Sequence, residues 1–264
     1  MTASHRRAMI TCAAVTALLG LVAGCAQSGS GTPTAAGGAS SAPAVAPATT
    51  TAAASAPPAT GTSTCDFTAT PDQPAPSGHN EGLPPNSAPR AGTVSVTLHT
   101  SQGDIPMTMP RSKAPCTVAS FAFLATKGYF NQTPCHRLTT SPSLSVLQCG
   151  DPTGTGMGGP GYTIPDENPT DLPPAPGAPG ASLYARGTLA MANTGQPHSG
   201  GSQFFLVYAD SDLPPNYAVF GQVSPAGLTV LDKISKAGVA QGSDPTDGPP
   251  ATKVTITSAT VAAG

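Results

Sequence analysis

The chain has 264 residues, room for one or two ordinary domains. Charged residues make up 9% of it and the formal net charge is −2, which argues against nucleic-acid binding because no basic face is available to neutralise phosphates. Its 31 prolines and 30 glycines mark part of the chain as unstructured, and their uneven spread gives the domain boundaries.

Residues 1–24 read as an address. Arg6 and Arg7 precede an uncharged apolar stretch, Ala8 to Ala23, which is short for a membrane-spanning helix and suits a signal peptide. The stretch ends in Leu21-Val22-Ala23-Gly24-Cys25, which resembles a bacterial lipobox. That resemblance implies a lipidated Cys25 as the mature N-terminus and a protein anchored by lipid on the extracytoplasmic side of the cell membrane. From Cys25 to residue 92 the chain is rich in Ala, Thr, Ser, Pro and Gly, and residues 26–64 contain no Asp, Glu, Lys, Arg or His. A segment with so little to bury cannot offset its ordering entropy, so residues 25–92 are expected to be a disordered linker with a span of about 45 Å. The alternative for residues 65–92 is an extended arm packed on the domain, with Cys65 and Phe67 as its anchors.

A domain over residues 93–262 follows. Val94, Val96 and Leu98 alternate with polar residues, Ser101-Gln102-Gly103-Asp104 signals a turn, and Ile105, Met107 and Met109 alternate again. This is the pattern of a β-hairpin over 93–109. Val118, Phe121, Ala122 and Ala125 share one face of a helix opened by Pro115 and stopped by Gly128. Short strands are predicted near 133–139, 144–149, 187–192, 203–208 and 218–223. A second helix fits 227–237, with Leu228, Leu231 and Ile234 on its apolar face, and a last strand spans 253–261. Seven or eight short strands with two helices predict a mainly β fold, a closed eight-stranded antiparallel barrel capped by two α-helices.

Several strings in this stretch resemble, in order, those of the cyclophilin family of peptidyl-prolyl cis-trans isomerases. They are Cys135-His136-Arg137, Gln148-Cys149-Gly150-Asp151, the glycine loop from Gly154 to Gly159, Asp166-Glu167-Asn168, Gly187 to Asn193, Gly201-Ser202-Gln203-Phe204-Phe205 and Val219-Phe220-Gly221-Gln222-Val223. The resemblance implies isomerase activity on X-Pro bonds with proline-containing polypeptides as partners; no cofactor is expected, and no metal, because Cys135-His136 with Cys149 match no standard zinc-ligand spacing. It places Arg137 at the family's catalytic arginine and Phe205 at the floor of a proline pocket walled by Val146 and Leu213. Gln148 and Gln203 would orient Arg137 and the substrate carbonyl. Ala192 and Asn193 would hold the substrate main chain. Phe204 should point away from Phe205 into the core.

The chain departs from the family at four pocket positions. Ser145 stands where the family has a phenylalanine, Val146 where it has methionine, Asp212 where it has tryptophan or phenylalanine, and Tyr217 where it has histidine. Leu144 is the residue available to replace the lost aromatic, and Tyr217 keeps a ring with a hydrogen-bonding tip. An export signal permits disulfides. Cys135 and Cys149 lie on strands that the resemblance pairs, so a bridge between them is a candidate, and Cys65 with Cys116 would then staple the arm to the first helix; buried free thiols are the alternative. His136 is expected to be structural. The leading expectation is a monomeric, lipid-anchored prolyl isomerase that assists exported proteins, and the rival is a non-catalytic proline-peptide binding module with the same fold.

Overall fold

A computed structural model describes residues 60–262. The signal peptide, Cys25 and the linker up to residue 59 lie outside the described residues. In chain order the elements are β1 (Thr62–Thr64), β2 (Thr68–Ala69), β3 (Ser87–Pro89), β4 (Thr93–Thr100), β5 (Gly103–Pro110), α1 (Pro115–Lys127), β6 (Thr133–Pro134), β7 (Arg137–Thr139) and β8 (Val146–Cys149). Then come β9 (Tyr162–Thr163), β10 (Ser182–Tyr184), β11 (Thr188–Met191), β12 (Phe204–Val207), β13 (Ser211–Leu213), β14 (Val219–Val223), α2 (Pro225–Ala237), β15 (Asp247–Gly248) and β16 (Thr255–Val261).

The predicted strands form, except that the one expected at 133–139 splits into β6 and β7. Ten strands make one curled antiparallel sheet in the order β15-β7-β8-β12-β11-β14-β5-β4-β16-β6. This corrects the expected closed, eight-stranded barrel: the ladder has two edges, β15 and β6. The reason lies at residues 133–139. Only Cys135 and His136 separate β6, at one end of the order, from β7, near the other end. The first part of this segment pairs with β16 and the second with β8. Bonding to the β16 side ends at Cys135, whose N–H donates to Val254 O at 2.9 Å, and from Arg137 on the segment pairs with β8 instead, so one short segment serves two separate ladders. The Cys135–Cys149 disulfide, with Cα atoms 4.0 Å apart, links this crossing point to β8.

Both helices begin on proline. On α1 the N-cap residue, Ala114, provides no side-chain acceptor. The Glu167 carboxylate instead accepts from the N–H groups of Cys116 and Thr117 at 2.9 and 2.8 Å, placing a negative charge at the positive end of the helix. Ser224 caps α2, accepting from Gly227 N–H at 3.2 Å. The buried face of α1 includes Val118, Phe121, Leu124 and Ala125, and that of α2 includes Leu231 and Ile234. Phe121 meets the rings of Phe130, Phe204 and Phe220 with centroids 4.9, 5.1 and 5.3 Å apart, and each such buried side chain contributes roughly 1.5–3 kcal/mol.

Residues 60–92 differ from the linker expectation, and from Cys65 on they follow the arm alternative given for 65–92. β1 pairs with β3, β2 pairs with β9, and Cys65 is bonded to Cys116 of α1. The Phe67 ring packs edge-on against Tyr162, centroids 5.8 Å apart. Among the described residues no helix is long and apolar enough to cross a membrane.

Candidate active site

Alternation along three central strands sorts their side chains onto two faces. Leu147 and Cys149 of β8, Phe204 and Leu206 of β12, and Leu189 and Met191 of β11 join the main core. Val146, Phe205, Val207 and Ala190, their immediate neighbours, form a second cluster with Tyr184, against which Leu144, Ala192, Leu213 and Tyr217 pack. Phe204 thus points away from Phe205, as the strand period requires.

Register then aligns the chemistry. Arg137 of β7 lies opposite Gln148 of β8, Gln148 opposite Phe205 of β12, and Phe205 opposite Ala190 of β11. One cross-strand row therefore carries a cation, an amide and an aromatic ring on neighbouring strands. The hydrogen bonds along it run in one direction, because a guanidinium only donates. Arg137 Nη1 donates to Gln148 Oε1 at 3.3 Å. That turns the Gln148 amide nitrogen toward Gln203, whose Oε1 accepts at 3.0 Å. The Gln203 amide nitrogen in turn donates to the carbonyls of Gly156 and Gly158, both at 2.9 Å.

At the other end, Arg137 is held by Asp247 of β15, with Nε to Oδ1 and Nη2 to Oδ2 both 2.7 Å. The bond to Asp247 raises the guanidinium pKa further, and partial burial opposes it. The same bond holds the Asp247 carboxyl below its usual range against a desolvation that would raise it. Sequence reasoning missed Asp247. It sits in Asp244-Pro245-Thr246-Asp247-Gly248, which reads as an ordinary polar turn, 110 residues from its partner.

The Phe205 side chain is buried, with the Tyr217 ring 5.5 Å away at 82° and Tyr184 at 6.4 Å. Tyr184 was also missed; its single hydroxyl proton lies within reach of the carbonyl oxygens of Pro214 and Tyr217, at 3.2 and 3.1 Å, and the hydroxyl oxygen accepts from Tyr217 N–H, which pins the segment carrying Leu213 and Tyr217. Val146, Phe205, Leu213 and Tyr217 are brought together as expected of a small apolar pocket, next to the Arg137 row. Ala192 is more constrained than expected: its N–H already donates to the Gln203 carbonyl at 2.9 Å, leaving its own carbonyl as the group it can offer. The Asn193 side chain donates to Asn216 O at 2.7 Å and accepts from Gly195 N–H, so it shapes the rim.

The family model for "Cyclophilin type peptidyl-prolyl cis-trans isomerase/CLD" matches residues 95–261. This chain belongs to the cyclophilin-type isomerase family. It is 53% identical over 192 residues to the probable peptidyl-prolyl cis-trans isomerase B of Mycobacterium leprae, covering 69% of this chain and 64% of that one. With the protein of the same description from Mycobacterium tuberculosis it shares 50% identity over 205 residues, covering 74% of this chain and 63% of that one. The chain thus spans a little under two thirds of the length of these relatives. A crystal structure of a cyclophilin-type isomerase from Cryptosporidium parvum superposes with a TM-score of 0.52 at 26% identity, over 66% of this chain and 99% of that one. A structure of the same protein in the presence of the dipeptide Ala-Pro gives 0.51 over 64% and 99%.

Within this cyclophilin-type domain the departures have structural reasons. Ser145 is buried and turned to the backbone: its hydroxyl donates to Ser141 O at 3.1 Å and its N–H to Ser211 Oγ at 2.9 Å. Leu144 packs against the Phe205 cluster. Asp212 pairs with Leu183 between β13 and β10, which form a separate two-stranded sheet. The glycine loop is organised by the buried Asp151, whose carboxylate accepts from the N–H groups of Thr153, Gly156 and Gly158 at 2.8, 2.7 and 3.1 Å. Gly150, before it, has φ +94°, and a Cβ there would lie 2.2 Å from Ser202 O, so only glycine fits. His136 is half-buried beside this loop, its pKa lowered first by burial and also by Arg137, with Asp151 opposing. Among the described residues no cluster of His, Cys, Asp and Glu suits a metal ion.

Proposed function

We propose that this chain is a peptidyl-prolyl cis-trans isomerase that accelerates rotation about X-Pro bonds in exported proteins. The observation that carries the reading is the row Arg137–Gln148–Phe205, a fixed cationic donor beside an apolar cluster of Val146, Phe205, Leu213 and Tyr217.

The barrier to X-Pro rotation, about 20 kcal/mol, is lost conjugation between the imide nitrogen and the carbonyl. No bond is broken. In the twisted state the nitrogen lone pair is localised and can accept a hydrogen bond, so a donor aimed at it helps more there than in either planar state. In this reading Phe205, Val146, Leu213 and Tyr217 seat the proline ring and Arg137 supplies the donor. Gln148 and Gln203 keep that donor from turning, and the Ala192–Asn193 main chain holds the flanking peptide. An acceleration of ~10⁵ needs about 7 kcal/mol of such differential binding.

The basic start, apolar stretch and lipobox-like end of residues 1–25 support a lipoprotein tethered outside the cell membrane, where the two disulfides of the domain suit an oxidising compartment. The second reading, a binding module without turnover, draws on Ser145 and Asp212, which leave the pocket without two of the family's aromatic rings.

Conversion of a short Ala-Pro peptide from cis to trans tests this, with the Arg137→Ala variant alongside. Acceleration that collapses in Arg137→Ala is the expected result. Peptide binding without acceleration would instead establish the binding module.

A further inference from the structure

The groove does not end at the proline pocket. A hollow of ≈ 540 Å³ opens beside it, lined on one side by Gln148, Ala192, Asn193 and Gln203 of the site just described. Phe205, Val146, Leu213 and Tyr217 do not line it, so it adjoins the proline pocket without being part of it. A second wall is the glycine loop from Gly156 to Gly161. A third is Thr70, Gln73 and Pro74, from the arm that precedes the region matched by the family model.

This arm is fastened, so it is a wall and not a passing strand. β2 is laddered to β9, with Thr68 opposite Thr163 and Ala69 opposite Tyr162, and Thr70 N–H donates to Gly161 O at 2.9 Å. The turn that follows is closed on itself: Gln73 N–H donates to Thr70 O at 2.9 Å and Thr70 Oγ1 donates to Gln73 O at 3.0 Å. Behind it, the Cys65–Cys116 disulfide ties the arm to α1. The chains meet closely at Gly161, where a Cβ would stand 3.0 Å from Ala75 N.

No Asp, Glu, Lys, Arg or His lines the hollow; its polar groups are amides, hydroxyls and main chain. A charged side chain entering it would lose hydration without meeting a counter-charge, whereas an amide or thioether side chain would keep hydrogen-bonding or apolar contacts. The volume lies within the range of ordinary ligand sites. We infer that the arm segment Thr70–Pro74 belongs to the substrate-binding surface and selects polypeptides with an uncharged side chain flanking the isomerised proline. This rests on the function proposed above, since a peptide seated on Phe205 and Arg137 must pass Gln148 and Gln203, which the hollow shares.

Gln73 is exposed, so its side chain can be changed without disturbing the core. The test uses the full chain and single-proline peptides carrying Gln, Met, Glu or Lys at each of the two positions before and after the proline. Wild type should favour Gln and Met over both Glu and Lys at one of these positions. There, Gln73→Lys should raise the ratio of kcat/KM for Glu over Lys about threefold to fivefold, and Gln73→Glu should shift it as far the other way. The same ratio read from peptide Kd values serves if the wild type binds without turnover. Ratios that are identical in the three proteins at every position would overturn the inference. If those ratios stay identical while turnover still depends on Arg137, the arm alone is refuted; a wild type that neither turns over nor binds any peptide refutes the proposed function and the arm with it.

Discussion

The Asp247 carboxylate grips one edge of the Arg137 guanidinium, two oxygens on two nitrogens at 2.7 Å each. Of the five N–H donors of that group, Asp247 takes one on Nε and one on Nη2, and Gln148 takes one on Nη1. Two remain, one on each terminal nitrogen, and the planar fork that carries them cannot rotate while Asp247 and Gln148 hold it.

Asp247→Asn should therefore lower kcat about tenfold, because misaiming a catalytic group is costly even when the group itself is intact. KM should move little, since Asp247 does not line the proline pocket. A lowered Tm with unchanged kcat would mean that the pair is merely structural.

The same pair sets an acid limit. Arg137 holds the Asp247 carboxyl below the usual carboxylate range, while burial and Asp244 oppose it, and Tyr217 and His136 are the other titratable groups that act on Arg137 or feel its charge. With the folded pKa depressed, the contribution of the pair is complete above the ordinary Asp value and is lost as pH falls through the lower, folded value. A pH profile of kcat should stay flat from neutral down through the ordinary carboxylate range and fall only below it. In Asp247→Asn that acid limb should shrink to the part that Asp151 contributes through the glycine loop.

Arg137→Ala should cost about 10²–10³ in kcat, the typical loss for one transition-state donor. Arg137→Lys should recover only a small part of this, because an ammonium has charge but no fork with which to hold Asp247 and Gln148 together. Single-turnover kinetics beside peptide Kd values separate the two contributions; equal activity of the lysine variant would remove the fork from the account.

The Cys65–Cys116 bridge closes a separation of 51 residues. Replacing both with serine should destabilise the domain by about 2–5 kcal/mol. It should also speed hydrogen exchange at the Thr70 N–H that pairs with Gly161. Thermal unfolding and exchange measured on the same sample check this; an unchanged Tm with unchanged exchange would show that the ladder to β9 holds the arm by itself.

Asp151→Asn should destabilise the glycine loop by roughly 1.5–3 kcal/mol, the weight of hydrogen bonds to a charged acceptor. Burial alone would raise the Asp151 pKa, but the bonds from Thr153, Gly158 and Gly156 outweigh it and hold the group below its usual value. Its stabilising effect is thus present above the ordinary Asp value and lost as pH falls through the folded value. Acid unfolding should be less steep in the asparagine variant.

Much of the fold was legible because alternation and caps are local. The hairpin of β4 and β5, the extent of α1 and the opposite facing of Phe204 and Phe205 follow from periods of 2 and 3.6. The core of the site was legible for a different reason: Arg137, Gln148, Gln203 and Phe205 lie in strings similar to those of a known family. Other features gave no local signal. Glu167 caps a helix some 50 residues earlier in the chain. The arm reads as linker by composition, yet its few anchors, Cys65 and Phe67, suffice because a covalent bond and two short ladders order the rest.

The sequence by itself determined which residues alternate, where helices start and stop, and which side chains could act as donor, amide and pocket floor, since each depends on near neighbours and residue chemistry. Only the tertiary structure decided that Arg137, Gln148 and Phe205 stand in one row, that Asp247 clamps the row's end and that Gln73 faces the same hollow as Gln203. Register across a curled sheet and contacts between segments more than a hundred residues apart are set by the packing of the whole chain, which no local pattern encodes.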